Sequence, residues 1–233
     1  MVYVNMNYRV KYLKGPNVWA HNGGMTLEHP DSWKALAGLR HVQHLVMGYG
    51  QCPTGSFQHI KELKNLETIQ IQEVSIGDAA VCLAELKELK SISIVECGLG
   101  DESMAAFARL PNLEYLSVSG NALSNESLAS ISSAPKLTTL YVGGKECAID
   151  DNGISHLAKL EYLTTVGLVY TQITDAGLEH FAAMASVKEL ILGNTKVTLD
   201  GADRFQQEMR PDVVLRVLPN NKMLDLSADS GRN

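Results

Sequence analysis

A set of three apolar residues at positions i, i+3 and i+5 recurs along this chain, and this recurrence constrains the fold more than any other feature. The first residues of successive sets lie 24, 23, 24, 24, 26 and 24 positions apart. Such regular spacing indicates stacked units that lengthen a single core along one axis. The complete sets are Val42-Leu45-Met47, Leu66-Ile69-Ile71, Leu89-Ile92-Ile94, Leu113-Leu116-Val118, Leu137-Leu140-Val142, Leu163-Val166-Leu168 and Val187-Leu190-Leu192, and a degraded set follows at Asp212-Leu215-Val217.

Each unit is predicted to contain a strand, a turn and a helix. The last two apolar residues of a set are separated by one residue, which is the period of a strand that buries alternate side chains. Further along one unit, Thr174 can cap a helix that buries Leu178, Phe181 and Met184. The same helical spacing returns at Phe57-Ile60-Leu63, Met104-Phe107-Leu110, Leu128-Ile131 and Ile154-Leu157-Leu160.

One such unit cannot bury both its strand and its helix, so the units must stack. Stacking places the parallel strands on an inner, concave surface and the helices on an outer, convex one. We therefore predict an α/β fold, a right-handed horseshoe-shaped solenoid of seven to eight repeats.

Two phrases carry a family resemblance: residues 171–178 read TQITDAGL and residues 195–201 read TKVTLDG. They resemble the leucine-rich repeats of the ribonuclease-inhibitor-like superfamily. Within it they are most similar to the short type found in many bacterial proteins and in the repeat domains attached to eukaryotic F-box proteins. The resemblance covers residues 31–218 and implies a scaffold for protein–protein recognition.

The chain departs from the family pattern at one position of the repeat. Asn, Cys or Thr usually stands there, but this chain does not keep to those residues, so no continuous polar ladder is expected. The residues at that position are Gly50, Val74, Cys97, Asn121, Lys145, Thr171 and Thr195.

The ends of the solenoid need caps because terminal repeats would otherwise expose apolar surface. Residues 1–30 are assigned to an amino-terminal cap, in which alternation from Val2 to Tyr12 predicts a strand and Gly15-Pro16 a turn. A helix is predicted over residues 31–39. Residues 31–218 form the repeat domain and residues 219–233 a tail. Five aromatics either pack on the first repeat or form a binding lip: Tyr3, Tyr8, Tyr12, Trp19 and Trp33.

Charge and hydropathy exclude several classes of protein. The formal net charge of -6 gives no electrostatic reason to approach nucleic acid or an anionic bilayer. No basic start followed by an apolar run marks a signal peptide, and no long uncharged window marks a membrane span. We expect a soluble, cytoplasmic monomer, with secretion left open if the chain is a fragment.

No motif points to catalysis. The four cysteines, Cys52, Cys82, Cys97 and Cys147, form no CxxC pair and are expected to be buried and reduced. Asp150-Asp151 is interpreted as helix capping rather than as a catalytic carboxylate pair. No phosphate loop, nucleophile elbow or zinc-hydrolase motif is present. We expect no enzyme activity, no cofactor and no metal; an enzyme that uses His44 at the end of the groove is the weakest alternative.

Strand alternation predicts which side chains point away from the core. The first row is His44, Thr68, Ser91, Tyr115, Thr139, Thr165 and Glu189; the second is Val46, Gln70, Ser93, Ser117, Tyr141, Gly167, Ile191 and Arg216; the third is Gly48, Gln72, Val95, Ser119, Gly143, Val169 and Gly193. These rows are small and nearly uncharged. A lip of Tyr49, Glu73, Glu96 and Tyr170 is a second candidate edge.

These rows lead to a functional prediction, a non-catalytic scaffold that binds a protein partner of unknown identity on the concave sheet. Tyrosine is enriched at binding hot spots, which singles out Tyr115 and Tyr141. Small residues can also be present only because they suit a curved sheet. A second hypothesis is the targeting portion of a larger effector or ubiquitin-ligase-like adaptor. The predicted partner-binding residues are Tyr115, Tyr141, Gln70, Gln72, Ser117, Thr139, His44, Glu189 and Arg216.

Overall fold

The computed structural model describes residues 17–21, 30, 33–34 and 38–218. Its sheet has nine parallel strands in chain order, and from β2 to β9 each neighbouring pair is joined by one crossover. This arrangement confirms the predicted α/β solenoid. The strands are β1 (Asn17–His21), β2 (His44–Gln51), β3 (Thr68–Ser75), β4 (Ser91–Val95), β5 (Tyr115–Ser117), β6 (Thr139–Gly143), β7 (Thr165–Val169), β8 (Glu189–Gly193) and β9 (Val214–Leu218).

The convex side carries short helical segments. Of the five α-helices between residues 101 and 204, four are preceded by a residue whose side chain accepts a hydrogen bond from the first turn: Ser124, Asp150, Thr174 or Thr198. Thr174 is the cap predicted from sequence. The helices are α1 (Asp101–Phe107), α2 (Asn125–Ile131), α3 (Asp151–Leu157), α4 (Asp175–Ala182) and α5 (Leu199–Arg204), and a π-helical turn, Phe205–Met209, continues the last.

The first two convex segments differ from the prediction, because Phe57–Glu62 and Gly77–Glu85 are 3₁₀ rather than α-helical. The strands of these repeats, β2 and β3, are 8 residues long, whereas β5 has 3 and β6 has 5. Because the repeat length is nearly constant, longer strands leave fewer residues for the convex segment that leads to the next strand. A 3₁₀ segment advances more per residue than an α-helix, so it spans the same distance with a shorter chain.

The seven predicted strands and the degraded eighth all form. The apolar periodicity does not predict β1, which pairs in parallel with β2 and places Asn17 opposite His44. Trp33 is fully buried, and its ring meets that of Phe57 edge-on at a centroid distance of 5.6 Å. The strand predicted at residues 2–12, the turn at 15–16 and the tail at 219–233 lie outside the described residues.

At the repeat position that usually holds Asn, Cys or Thr, the structure corrects one residue of the sequence alignment. Lys145 is exposed, and Cys147 takes the buried position instead, because this repeat has 26 residues and its two additional residues follow the strand. Asn121 holds the position most fully: its carbonyl oxygen accepts from the backbone N–H groups of Cys97 and Leu99, both at 3.0 Å. Its amide donates to the Ile94 and Val118 carbonyls at 2.8 Å, so one buried side chain ties two repeats together.

The acidic pair at the start of α3 has the predicted capping role. Asp150 accepts from the Asn152 backbone N–H at 2.9 Å and so caps its own helix. Asp151 accepts from Thr174 of the next repeat. Both carboxylates are therefore engaged in holding helix starts.

Candidate functional site

The concave face consists of the side chains of β2–β9 that point away from the core. Strand pairing places the first and second predicted rows side by side as predicted: Tyr115 lies opposite Ser91 and Thr139, and Tyr141 lies opposite Ser117 and Gly167. The rows align because the apolar sets, which are buried, fix the register of neighbouring strands.

Tyr115 and Tyr141 form one aromatic pair at the middle of this face. They occupy adjacent strands and adjacent rows, so they are diagonal neighbours, close enough for large side chains to meet. Their ring centroids are 5.9 Å apart and the rings are tilted by 52°. Both side chains are half-buried. The two anchors singled out from the sequence thus form a single surface feature.

Gly167 determines how the Tyr141 ring lies. A Cβ atom at Gly167 would fall 2.8 Å from Cε1 of Tyr141 and closer still to Cδ1, so the ring occupies the space that a side chain would fill. Gly167 is in the middle of β7 and is itself buried. A glycine inside a strand often marks a close approach of another group, and this was the signal in the sequence that could have identified Gly167.

Ser117 lies beneath the aromatic pair rather than on the accessible surface. It is only 2% exposed. Burial raises the pKa of the Tyr115 hydroxyl, and a hydrogen bond with the Ser117 side chain acts in the opposite direction. Among the predicted binding residues, Ser117 therefore supports Tyr115 and offers little surface to a partner.

The amino-terminal end of the face is polar, and some of its side chains are hydrogen-bonded to one another. His44 Nδ1 and Thr68 Oγ1 are 2.6 Å apart, across neighbouring strands. Gln70 and Gln72 are exposed on β3, and Gln72 donates to Glu73 Oε1 at 3.3 Å. Thr139, half-buried on β6, lies between this polar end and the far end of the first row.

At the other end, Glu189 and Arg216 pair with each other. Arg216 Nε lies 2.8 Å from Glu189 Oε1, across β8 and β9. An exposed pair of this kind contributes little to stability. A partner at this end would meet two charges that are already matched.

Several residues of the rim at the carboxyl ends of the strands adopt the left-handed backbone conformation. The φ angles are 52° at Glu73, 54° at Glu96, 57° at Tyr170 and 50° at Asn194. Glu73 and Glu96 are exposed and Tyr170 is half-buried. Three of the four predicted lip residues therefore share this backbone conformation, Glu73 and Glu96 in neighbouring repeats and Tyr170 three repeats further on; the Tyr49 side chain is outside what the structure describes.

The described residues offer little reactive chemistry. Burial raises the pKa of the Cys52, Cys82 and Cys97 thiols to about 11 and also raises the pKa of Cys147. Such thiols are poor nucleophiles at neutral pH. Within the described part of the chain, no group of three or more His, Cys, Asp or Glu side chains is placed to hold a metal ion. No helix among the same residues has the length and apolar character needed to cross a bilayer.

Comparisons with known proteins agree with this geometry. A family model described as a leucine-rich repeat matches residues 109–132. The fold is similar to that of an internalin (inlF) from Listeria monocytogenes, with a TM-score of 0.62 and 18% identity over 88% of this chain and 54% of that one. Internalin C2 from the same organism gives a TM-score of 0.53 and 15% identity over 81% of this chain and 84% of the other.

The chain thus spans about half the length of the inlF structure. A comparison with curated proteins gave no match. The leucine-rich-repeat fold is confirmed, whereas the ribonuclease-inhibitor-like and F-box-associated subtype stays a prediction.

Proposed function

We propose that this leucine-rich-repeat solenoid is a non-catalytic scaffold that holds a protein partner on its concave face, with Tyr115 and Tyr141 as the anchors. The observation that carries the proposal is the contact between these two rings at 5.9 Å, on a sheet whose neighbouring side chains are small. Tyrosine combines a large apolar ring with a hydroxyl, and such residues dominate binding energy at many interfaces.

The surroundings of the tyrosines support this role. Ser91, Ser93, Thr139 and Thr165 surround them on the same face, and Gly167 lies beneath Tyr141. Small side chains let the backbone of a partner approach the sheet closely, while the rings provide the contact area. Gln70 and Gln72 add exposed amides that can donate and accept hydrogen bonds.

The test is a comparison of baits in affinity capture from source-cell lysate, with identification by mass spectrometry. The baits are the wild-type chain, the Tyr115→Ala/Tyr141→Ala double variant and a Tyr162→Ala control. Tyr162 is 60% exposed in a turn outside the strands, so its removal takes away an exposed tyrosine without touching the concave face.

We expect proteins retained by wild type and by Tyr162→Ala to be lost from the double variant, with affinity falling at least about thirtyfold if each ring is a hot spot. Thermal denaturation should show that all three chains remain folded. The same proteins retained equally by the double variant would move the binding site away from this face.

A further inference from the structure

The charges beside the tyrosines are not balanced. Across β2–β9 and the residues beside these strands, three ion pairs form: Glu67 with Lys90 at 2.7 Å, Glu189 with Arg216 at 2.8 Å, and Lys188 with Asp212 at 3.2 Å, the last sharing its carboxylate with Arg210.

Three carboxylates remain: Glu73, Glu96 and Glu114. All three are exposed, and none has an ion-pair partner among residues 38–218. Lys90, Lys188 and Arg216, which lie in or directly beside these strands, are already paired, whereas the exposed Lys145, two residues beyond β6, has no ion-pair partner among residues 38–218. In the described part of this face, three unpaired carboxylates therefore stand against one unpaired lysine.

These carboxylates lie on both sides of the aromatic pair. Glu114 directly precedes Tyr115 at the start of β5. Its carboxylate interacts electrostatically with Lys90, which precedes the neighbouring strand β4 and so lies at the same rim, the one formed by the amino ends of the strands. Glu96 follows β4 and lies over Gly120, where a Cβ atom would fall 3.3 Å from the Glu96 backbone nitrogen. Gly120 is six positions beyond Glu114, and β5 covers Tyr115–Ser117 of this stretch, so the two rims are at most about 20 Å apart along the chain. The tyrosines thus lie between two acidic positions at opposite rims.

We infer that the partner segment held on this face is an extended polypeptide that carries arginine. This inference rests on the proposed function and names the chemistry of the partner. A guanidinium group stacks on a tyrosine ring and also presents a planar fork of donors to a carboxylate. An extended segment of about six residues spans the distance between the two rims. A polyanion would meet repulsion from Glu73, Glu96 and Glu114.

The first experiment selects binders without presupposing their charge. A phage library of random peptides about twelve residues long, twice the span between the rims, is selected on the wild-type chain and counter-selected on Tyr115→Ala/Tyr141→Ala. We expect the surviving peptides to be enriched in arginine and depleted in aspartate and glutamate relative to the input library.

The outcomes separate the two proposals. A pool specific to wild type but without arginine enrichment overturns the inference about partner chemistry and leaves the concave binding face standing. A failure to recover any pool that distinguishes wild type from the double variant counts against both.

The second experiment tests whether the attraction is local. A selected arginine-bearing peptide, labelled with fluorescein, is titrated against Glu96→Gln/Glu114→Gln and against Glu126→Gln/Glu161→Gln. Each variant removes two exposed carboxylates, but the second pair lies outside the strands, Glu126 in α2 and Glu161 in a turn.

We expect the affinity to fall at least about tenfold for the first variant and less than about twofold for the second, because unpaired carboxylates beside the bound segment act at short range. Equal losses from both variants would mean attraction by net charge alone, and the inference would then be wrong.

Discussion

The carboxylate of Asp151 crosses from one repeat to the next and accepts two hydrogen bonds from Thr174, one from the backbone N–H at 2.8 Å and one from the hydroxyl at 2.6 Å. Asp151 begins α3 and Thr174 caps α4, so this carboxylate joins the starts of two neighbouring helices. The same two hydrogen bonds recur between Asp101 and Ser124 and between Asp175 and Thr198. Between Asn125 and Asp150 the side-chain direction is reversed: the Asn125 carbonyl accepts from the Asp150 N–H, and its amide donates to the Asp150 carboxylate.

This contact makes Gly177 sensitive to substitution. A Cβ at Gly177 would lie 2.6 Å from Cγ2 of Ile173 and would collide with Oδ1 of Asp151. Gly177→Ala should therefore displace Asp151 from Thr174 and lower the free energy of unfolding by about 1–3 kcal/mol. Urea denaturation followed by circular dichroism measures the effect. Gly48→Ala is the control, since its Cβ would have no neighbour nearer than 3.9 Å; equal midpoints for both variants would contradict the prediction.

Substitution of Gly167 tests the aromatic pair without mutating either tyrosine. Gly167→Ala should push the Tyr141 ring away from the sheet, because the new methyl group would occupy the position of its Cδ1 edge. We expect the near-ultraviolet circular dichroism of the tyrosines to change and the capture of concave-face partners to weaken. A crystal structure of the variant with the Tyr115–Tyr141 centroid distance still near 5.9 Å would show that the ring does not depend on Gly167.

Arg210 is buried and hydrogen-bonds the backbone carbonyl groups at and beyond the carboxyl-terminal end of α4. Its buried guanidinium donates to the carbonyl oxygens of Phe181, Met184 and Val187 at 3.2, 2.8 and 2.9 Å, and it also pairs with Asp212. Arg210→Met removes these donors, so we expect a loss of about 2–4 kcal/mol in unfolding free energy. Arg204→Met, which removes an exposed pair with Glu179, should cost less than about 1 kcal/mol. Guanidinium denaturation of the two variants checks the difference.

The Asp101 carboxylate makes stability depend on pH. Burial opposes its ionisation, but hydrogen bonds from the Ser124 and Ser127 hydroxyls and the Ser124 N–H outweigh burial and lower its pKa. The unfolded chain therefore takes up this proton at a higher pH than the folded chain does. The stabilisation is present above the ordinary aspartate pKa of about 3.9 and declines as the pH falls through the lower folded value.

The measurement is urea denaturation between about pH 5.5 and about pH 3, the range in which the unfolded carboxylate becomes protonated. Asp101→Asn should lose less unfolding free energy over this range than wild type. Glu102→Gln, at the exposed next position, is the control for removing a carboxylate from the same helix start. Parallel curves for Asp101→Asn and wild type would remove Asp101 from this pH dependence.

Much of the architecture could be predicted because the repeat encodes it locally. The spacing of sets such as Leu113-Leu116-Val118 places each strand and also fixes its register, since the buried residues of neighbouring strands must lie opposite one another. β1 escaped prediction because Asn17–His21 has no apolar set of its own. The placement of Cys147 rather than Lys145 at the buried position was not predicted, because an alignment by position does not show where the two additional residues of this repeat bulge.

The sequence alone determined the handedness, the order of the strands and the rows in which Tyr115 and Tyr141 stand, because these depend on periodic burial and on the chirality of the chain. Only the tertiary structure decided that the two rings touch, that Gly167 makes room for one of them, that Ser117 lies beneath them and that Arg216 is already paired with Glu189. Apart from the neighbours Tyr115 and Ser117, these relations join residues more than 20 positions apart, and all of them depend on side-chain conformations that a repeat pattern does not specify.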